Sequence, residues 1–165
     1  YFLLFGAGKS TLATRLIMAG RHMTGDAVVL LRDGVACAFP RKFLLKPDSL
    51  ALFPGTSRLE SLAEVPVHHQ LVRIDPCDFG QPWRIAPAPV AAIIQLEPNY
   101  GGRSRLLPRG KLATARGLIR HSRAPASERA GWVGDLCATV DRAACFVLEV
   151  GDLETAAEAL KPALP

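Results

Sequence analysis

The feature that most constrains this chain is a short segment near its beginning that combines glycines, a lysine and hydroxyl side chains, Gly6-Ala7-Gly8-Lys9-Ser10-Thr11. The apolar run Phe2 to Phe5 before it predicts a buried strand, and the pattern from Lys9 to Ala19 predicts a helix that Gly20 ends. Glycines let several backbone N–H groups approach one anion, and the helix adds the positive end of its dipole. The segment is therefore predicted to bind the phosphates of a nucleoside triphosphate.

Lys9 and Ser10 are the side chains of this segment that carry chemistry. In the loop pattern G-x-x-x-x-G-K-[ST], the lysine reaches the β- and γ-phosphates and the hydroxyl binds Mg²⁺. ATP and Mg²⁺ are therefore the expected cofactors. The same pattern requires a glycine at position 3, where this chain has Leu3. The alternative interpretation is a glycine-rich turn between a strand and a helix, with a surface lysine and no bound phosphate.

Asp26 is the second candidate residue. A helix from Lys9 to Ala19 would run about 16 Å away from the loop, and roughly five extended residues would return over the same distance. Asp26 is therefore predicted to lie beside the loop. A carboxylate in that place can bind Mg²⁺ or accept a proton from an attacking hydroxyl. The alternative interpretation is an ordinary turn aspartate after Gly25.

The remaining elements occur in a mixed order. Asp33-Gly34 between two apolar runs predicts a β-hairpin after the first helix, where a simple alternating α/β protein would have another helix. Residues 40–90 are rich in proline and predict short strands and loops. A strand, two helices, a strand and a helix are then predicted at Val90 to Leu96, Lys111 to His121, Ser127 to Ala143, Ala144 to Val150 and Leu153 to Leu160, with Asp152 as the cap of the last. We predict one α/β domain over residues 1–165 and, because the chain opens in a strand without methionine, further residues upstream.

The net charge of +5 is unevenly distributed. From Pro98 to Ser127 there is no acidic residue, and the basic residues there are Arg103, Arg105, Arg109, Lys111, Arg116, Arg120 and Arg123. This run indicates either a solvated basic face or a region that attracts phosphates or an acidic partner. No Phe, Trp or Tyr lies between Arg103 and Arg123, so nucleic acid is not an expected partner.

The cysteines indicate a reducing, cytoplasmic setting. Cys37, Cys77, Cys137 and Cys145 are scattered without zinc-ligand spacing, so free thiols are expected, with Cys137 and Cys145 buried in the core. No apolar stretch reaches the roughly 18 residues that crossing a bilayer requires, so no membrane partner is expected.

Three segments resemble a known kinase family. Gly6 to Ala13, Ala19 to Arg21 and Gly25 to Leu31 resemble the catalytic domain of HPr kinase/phosphorylase and its shorter kinase relatives. Phe39 to Lys46 is similar to a proline–arginine/lysine segment of those relatives. The resemblance implies a fold related to phosphoenolpyruvate carboxykinase, with a P-loop and a mixed, partly antiparallel sheet flanked by helices.

The resemblance also implies a reaction, the transfer of the γ-phosphoryl group of ATP to a serine hydroxyl of a protein or peptide. By position, Lys9 and Ser10 would hold the triphosphate and Mg²⁺. Asp26 would bind the metal and activate the acceptor hydroxyl, and Arg41 and Lys46 would contact the phosphate or the acceptor. A homo-oligomer is compatible with this assignment.

The chain departs from the family at three places. Leu3 replaces the first loop glycine, Ala27 replaces a second acidic residue after Asp26, and Arg116-Gly117-Leu118 matches only part of a family signature. Two alternatives therefore stay open. One is an accessory or regulatory protein that binds ATP without turnover. The other is a small-molecule kinase that grips phosphate with the Arg103–Arg123 stretch.

Overall fold

A computed structural model describes residues 2–25, 28–53, 72–122 and 129–163. The chain forms two compact units: the first consists of Tyr1–Lys9, Leu30–Cys37 and Ala86–Pro165, and the second of Ser10–Val29 and Ala38–Ile85. Helices combine with several sheets, which confirms the predicted α/β class at this coarse level. A single domain over residues 1–165 stays a prediction.

The described residues contain strands and helices that we number in chain order. The strands are β1 (Phe2–Gly6), β2 (Leu30–Arg32), β3 (Val35–Cys37), β4 (Phe43–Leu45), β5 (Val72–Ile74), β6 (Ala88–Pro89), β7 (Ala92–Pro98), β8 (Arg105–Pro108) and β9 (Ala144–Val150). The α-helices are α1 (Lys9–Met18), α2 (Pro47–Leu50), α3 (Lys111–His121), α4 (Arg129–Arg142) and α5 (Leu153–Leu160), and 3₁₀ turns cover Pro76–Phe79 and Lys161–Ala163.

The first unit is built on a mixed four-stranded sheet in the order β1-β7-β9-β8. β1, β7 and β9 are parallel, and β8 runs antiparallel to β9. β1, β7 and β9 confirm predicted strands. β8 was not predicted, because it is a short strand at the sheet edge within the basic run, and its formation depends on pairing with a distant strand.

Helices α3 and α4 pack together and cover part of one sheet face. α3 contacts β7 and β9, and α4 contacts β2. The buried residues of this core are Ala36, Val90, Ile93, Ala115, Leu118, Leu136, Val140, Ala143 and Cys145, with Leu31 and Trp132 packed against them. Because side chains alternate along a strand, Ile94 points to the opposite face, where it is also fully buried. The continuous burial of β7 agrees with its central place in the sheet.

The hairpin formed by β2 and β3 confirms the prediction from Asp33-Gly34. Both turn residues have positive φ, 52° for Asp33 and 75° for Gly34, as a two-residue type I′ turn requires. β3 also pairs with β6, which forms a three-stranded sheet. The Arg142 guanidinium donates a 3.1 Å hydrogen bond to the Asp33 carbonyl, which ties the turn to the end of α4.

The ends of two helices follow their predicted signals. After α1, Gly20 has a φ of 82°, its N–H donates to the Ile17 carbonyl, and the N–H of Arg21 donates to the Leu16 carbonyl. This pair of hydrogen bonds is a Schellman motif. At α5, the Asp152 carboxylate accepts a 2.9 Å hydrogen bond from the N–H of Thr155. Hydrogen bonds from the Thr155 hydroxyl and N–H lower the pKa of Asp152. Ser127, the predicted cap of α4, lies outside the described residues.

The second unit contains α1, α2 and the antiparallel pair of β4 and β5. Phe43, Leu45 and Ile74 from this pair are buried. The ring of Trp83 stacks on Phe43 with 5.9 Å between centroids, and its Nε1 donates a 3.1 Å hydrogen bond to Asp75. Trp83 is therefore a packing residue.

The cysteine predictions are only partly confirmed. All four thiols are free, and Cys145 is buried. Cys137 is exposed, so its predicted place in the core is wrong: it is turned about 100° around the axis of α4 from the buried Leu136. In the described part of the chain, no helix combines the length and apolar character that would let it pass through a bilayer.

Lys111 belongs to the basic run, but its ammonium caps a helix. Its Nζ donates hydrogen bonds to the carbonyls of Val140 at 2.8 Å and Asp141 at 3.2 Å, and also to that of Ala143. Carbonyls at the end of a helix lack partners within the helix and carry the negative end of its dipole. Lys111 therefore stabilises the C-terminal end of α4.

We expect Lys111→Met to lower the free energy of unfolding by about 1–3 kcal/mol, because it removes a cation from the helix end and leaves carbonyls unpaired. Urea denaturation measures the change. The control is Arg116→Met, which removes the same charge from an exposed position of α3 and should cost no more than about 0.5 kcal/mol. Equal losses in the two variants would mean that the contacts of Lys111 contribute nothing.

Candidate nucleotide-binding site

The glycine–lysine segment forms the connection between β1 and α1. β1 ends at Gly6 and α1 begins at Lys9, so Ala7 and Gly8 alone join them. Gly6 has a φ of 108° and Gly8 a φ of 82°, in the left-handed region that glycine adopts most easily. The predicted order of strand, glycine turn and helix is confirmed. Phosphate binding by this turn stays a prediction.

Leu3 lies in an edge strand of the four-stranded sheet. It belongs to β1 and pairs with Ile93 of β7, so the position where the loop pattern requires its first glycine is part of a strand. The turn that follows consists of Ala7 and Gly8 alone, so the N–H groups that could meet a phosphate come from these residues and the first turn of α1. So short a turn would surround a phosphate less completely than a longer loop.

The two glycines of the turn are needed for different reasons. A Cβ added at Gly6 would lie 2.3 Å from the carbonyl oxygen and 3.1 Å from the nitrogen of Leu96 on β7. A Cβ added at Gly8 would meet no described atom within 4 Å. Gly6 therefore permits close contact with the neighbouring strand, whereas Gly8 leaves the outer side of the turn open to an approaching ligand.

Lys9 and the first residues of α1 carry the polar groups of the segment. The partly buried Lys9 directs its Nζ to the carbonyl of Gly6 at 3.3 Å, which holds the ammonium over the turn. The Ser10 carbonyl accepts a 2.9 Å hydrogen bond from the Thr14 hydroxyl. Thr11 Oγ1 donates a 3.2 Å hydrogen bond to Ser49 Oγ, which links the first turn of α1 to α2. The cation and the hydroxyl groups that the motif requires thus follow the turn directly.

Asp26 and Ala27 lie outside the described residues, so the predicted return of Asp26 to the loop stays a prediction. The residue before them is held in place: Gly25 forms a β-bridge with Phe39, and the N–H of Phe39 donates a 3.0 Å hydrogen bond to the Thr24 carbonyl. A Cβ on Gly25 would lie 2.4 Å from the Phe39 carbonyl oxygen. The side chains of Arg41 and Lys46, predicted to contact substrate or phosphate, are exposed.

A polar cluster that the sequence analysis missed lies at the end of β7. Gln95 Nε2 donates a 2.6 Å hydrogen bond to Glu97 Oε1, and the Arg109 guanidinium donates a 3.3 Å hydrogen bond to the same oxygen. Gln95 and Glu97 alternate with apolar residues on a strand, so they share one face. Two polar residues at period 2 in an otherwise apolar strand were the signal that could have drawn attention to them.

The two strand residues of this cluster lie beside the end of β1 in the register of the sheet. Gln95 and Glu97 flank Leu96, which pairs with Gly6 and touches it. Among the described residues, buried side-chain atoms without a hydrogen-bond partner are Gln95 Oε1 and Arg109 Nε. Both belong to the cluster. Buried polar atoms are usually paired in folded proteins, so two unpaired atoms beside a candidate ligand site require an explanation.

The basic run is only partly a solvated face. Arg105 lies 3.8 Å from Glu149, Arg109 is bonded to Glu97, and Lys111 caps α4. The side chains of Arg103, Arg116 and Arg120 are exposed, and Arg123 lies outside the described residues. The cations of this strand and helix therefore partly hold the first unit together. A phosphate-gripping role for the Arg103–Arg123 stretch stays a prediction.

Comparisons of the chain with protein-family models, with curated proteins and with solved structures each find no match. No group of three or more His, Cys, Asp or Glu side chains within the described ranges is placed to hold a metal ion. The donors predicted for Mg²⁺ are the Ser10 hydroxyl and the Asp26 carboxylate, which are the hard oxygen ligands that this ion prefers. The chemistry of this donor set fits Mg²⁺.

Proposed function

We propose that this chain is an ATP- and Mg²⁺-dependent kinase that transfers the γ-phosphoryl group to a serine hydroxyl of a protein or peptide. The observation that carries the proposal is the turn between β1 and α1, with two glycines at positive φ and the Lys9 ammonium held over it. Such a turn favours an anion through backbone N–H groups, a cation and the helix dipole together. The mixed sheet and the hairpin after α1 support a fold of the phosphoenolpyruvate carboxykinase type.

In this proposal the protein contributes position and charge. Lys9 contacts the β- and γ-phosphates, and the backbone of Gly6 to Thr11 surrounds them. Ser10 and Asp26 would hold Mg²⁺, which neutralises charge on the phosphates when it is bound. Asp26 accepts the proton of the acceptor hydroxyl, and the exposed Arg41 and Lys46 contact the acceptor or its phosphate. Positioning and charge neutralisation account for most of the catalysis in phosphoryl transfer.

A second candidate function is an accessory protein that binds ATP without turnover. The place of Leu3 inside β1 favours it, because the turn then has fewer N–H groups for a triphosphate. Ala27, which replaces a second carboxylate, favours it as well. Under either function we propose a cytoplasmic protein, since four free thiols suit a reducing compartment, with neither nucleic acid nor membrane as partner. A homo-oligomer is compatible with both.

Calorimetric titration of ATP in the presence of Mg²⁺ tests ATP binding, which both candidate functions require. We expect saturable binding to the wild-type chain and at least about tenfold weaker binding to Lys9→Met, because a charge-assisted contact with phosphate is lost. Lys161→Met is the control, since it removes the same charge from an exposed residue at the end of α5. No saturable binding to the wild type, or equal binding to Lys9→Met, would contradict the proposal.

A turnover assay separates the kinase from the accessory protein. The wild-type chain is incubated with [γ-³²P]ATP, Mg²⁺ and a library of serine-containing peptides, and labelled peptide and free phosphate are measured. Transfer to serine supports the kinase. Binding of ATP with neither transfer nor hydrolysis supports the accessory protein and contradicts the kinase.

A further inference from the structure

In the first unit, the mostly buried side chain of Arg109 has a donor atom without a hydrogen-bond partner. Its side chain is only 22% exposed, its NH1 is bonded to Glu97, and its Nε is buried without an acceptor. A buried donor that lacks an acceptor is costly, and more so when it carries charge. A guanidinium has five N–H groups in a fixed plane, and the contact with Glu97 uses one of them. The side chain therefore has donors left for a further acidic ligand.

The position of Arg109 is determined by the sheet. Its backbone N–H donates a 2.8 Å hydrogen bond to the Cys145 carbonyl of β9, and the side chain reaches Glu97 at the end of β7. Gln95 holds Glu97 by a second hydrogen bond to the same oxygen. Leu96, between Gln95 and Glu97, contacts Gly6 of the turn. All of these residues belong to the first unit, as does Lys9.

We propose that Arg109 binds the γ-phosphate of a nucleotide held by the glycine turn and thereby distinguishes ATP from ADP. The inference rests on the proposed function, because it requires nucleotide binding by the turn. A terminal phosphate supplies several acceptor oxygens and matches the fork of a guanidinium, so it satisfies the Nε donor that Glu97 leaves unpaired. Glu97 is 47% exposed, so water can hydrate its carboxylate when Arg109 turns towards phosphate.

Arg105 provides a matched comparison. It pairs with Glu149 at 3.8 Å, and Glu149 is the register partner of Glu97 on the neighbouring strand. Both are arginine–glutamate ion pairs, and their glutamates lie on adjacent strands. The Arg105–Glu149 pair is one strand further from β1, and its arginine is 66% exposed. If Arg109 had only a structural role, replacing Arg109 or Arg105 would have the same effect on nucleotide affinity.

The test measures the affinities of ATP and ADP, each with Mg²⁺, by calorimetry for the wild type, Arg109→Met and Arg105→Met. We expect the wild type to prefer ATP by about tenfold, which is the size of one charge-assisted contact. In Arg109→Met the ATP affinity should fall about tenfold while the ADP affinity changes by less than about twofold, so the preference disappears. Arg105→Met should keep it.

A second variant covers the case in which Arg109→Met does not fold. Arg109→Lys keeps the positive charge but lacks the planar fork, so most of the preference for ATP should also be lost. Equal affinities of the wild type for ATP and ADP, or an unchanged preference in the folded Arg109 variants, would overturn the assignment of Arg109 and leave the proposed function in place. If neither nucleotide binds in a Lys9-dependent way, the proposed function fails and this inference fails with it.

Discussion

Gly6→Ala is expected to destabilise the first unit by roughly 2–5 kcal/mol, the largest effect on stability that we anticipate. The added Cβ would lie 2.3 Å from the carbonyl oxygen of Leu96, which no van der Waals contact allows. The atom it meets is backbone, so a side-chain rotation cannot relieve the clash. Alanine would also have to adopt a φ of 108°, which an L-residue other than glycine rarely does. Relief therefore requires β1 and β7 to separate where Gly6 pairs with Leu96.

Urea denaturation of Gly6→Ala and Gly8→Ala separates the clash with Leu96 from the cost of a positive φ. Gly8 has a φ of 82°, but a Cβ there would meet no described atom within 4 Å. Gly8→Ala should therefore lower the free energy of unfolding by only the cost of a left-handed alanine, about 1–2 kcal/mol. If Gly6→Ala loses no more stability than Gly8→Ala, the contact between Gly6 and Leu96 is not what makes the glycine necessary.

Asp26→Asn is expected to reduce phosphoryl transfer by at least about 100-fold, the largest effect on activity that we anticipate, because general-base catalysis contributes about 10²–10⁴-fold. The amide keeps the size of the side chain but cannot accept the proton of the acceptor hydroxyl. The affinity for ATP should change far less, since Lys9 and the backbone of the turn provide most of the contacts with phosphate. Transfer from [γ-³²P]ATP to a serine peptide measures the rate, and calorimetry measures the affinity.

Asp33→Asn is the matched control for this experiment. Asp33 is an exposed carboxylate in the β2–β3 turn, and asparagine accepts positive φ at least as readily, so the fold should be unaffected. Its transfer rate should stay close to that of the wild type. Full activity of Asp26→Asn would show that Asp26 is not the base, and the carboxylate would then be the turn residue of the alternative interpretation.

Several elements could be predicted because their signals are local. The Asp33-Gly34 turn requires positive φ at both residues, Gly20 supplies the left-handed residue that ends α1, and Asp152 accepts from the N–H of Thr155 three residues on. The order of strand, glycine turn and helix at Gly6 to Thr11 belongs to the same class. In each case the decisive atoms are within a few residues of each other, so the sequence contains the whole cause.

Other features could not be predicted because they depend on distant partners. The exposure of Cys137 follows from which side of α4 meets α3 and the sheet, and periodicity alone gives that side only approximately. Lys111 is a helix cap only because α3 begins beside the end of α4. Arg109 and Glu97 are twelve positions apart in sequence, and they meet because β8 folds back antiparallel to β9.

The amino-acid sequence by itself determined the local features of this protein: its turns, its helix ends, its longest strands and the glycine–lysine segment. That segment is the basis for predicting nucleotide binding. Only the tertiary structure decided that Leu3 lies within β1, that Gly6 contacts β7 and that Arg109 reaches Glu97 beside the turn. The physical reason is that backbone conformation and capping are governed by neighbours along the chain. Strand pairing and ion pairing are governed by neighbours in space, which no local pattern specifies.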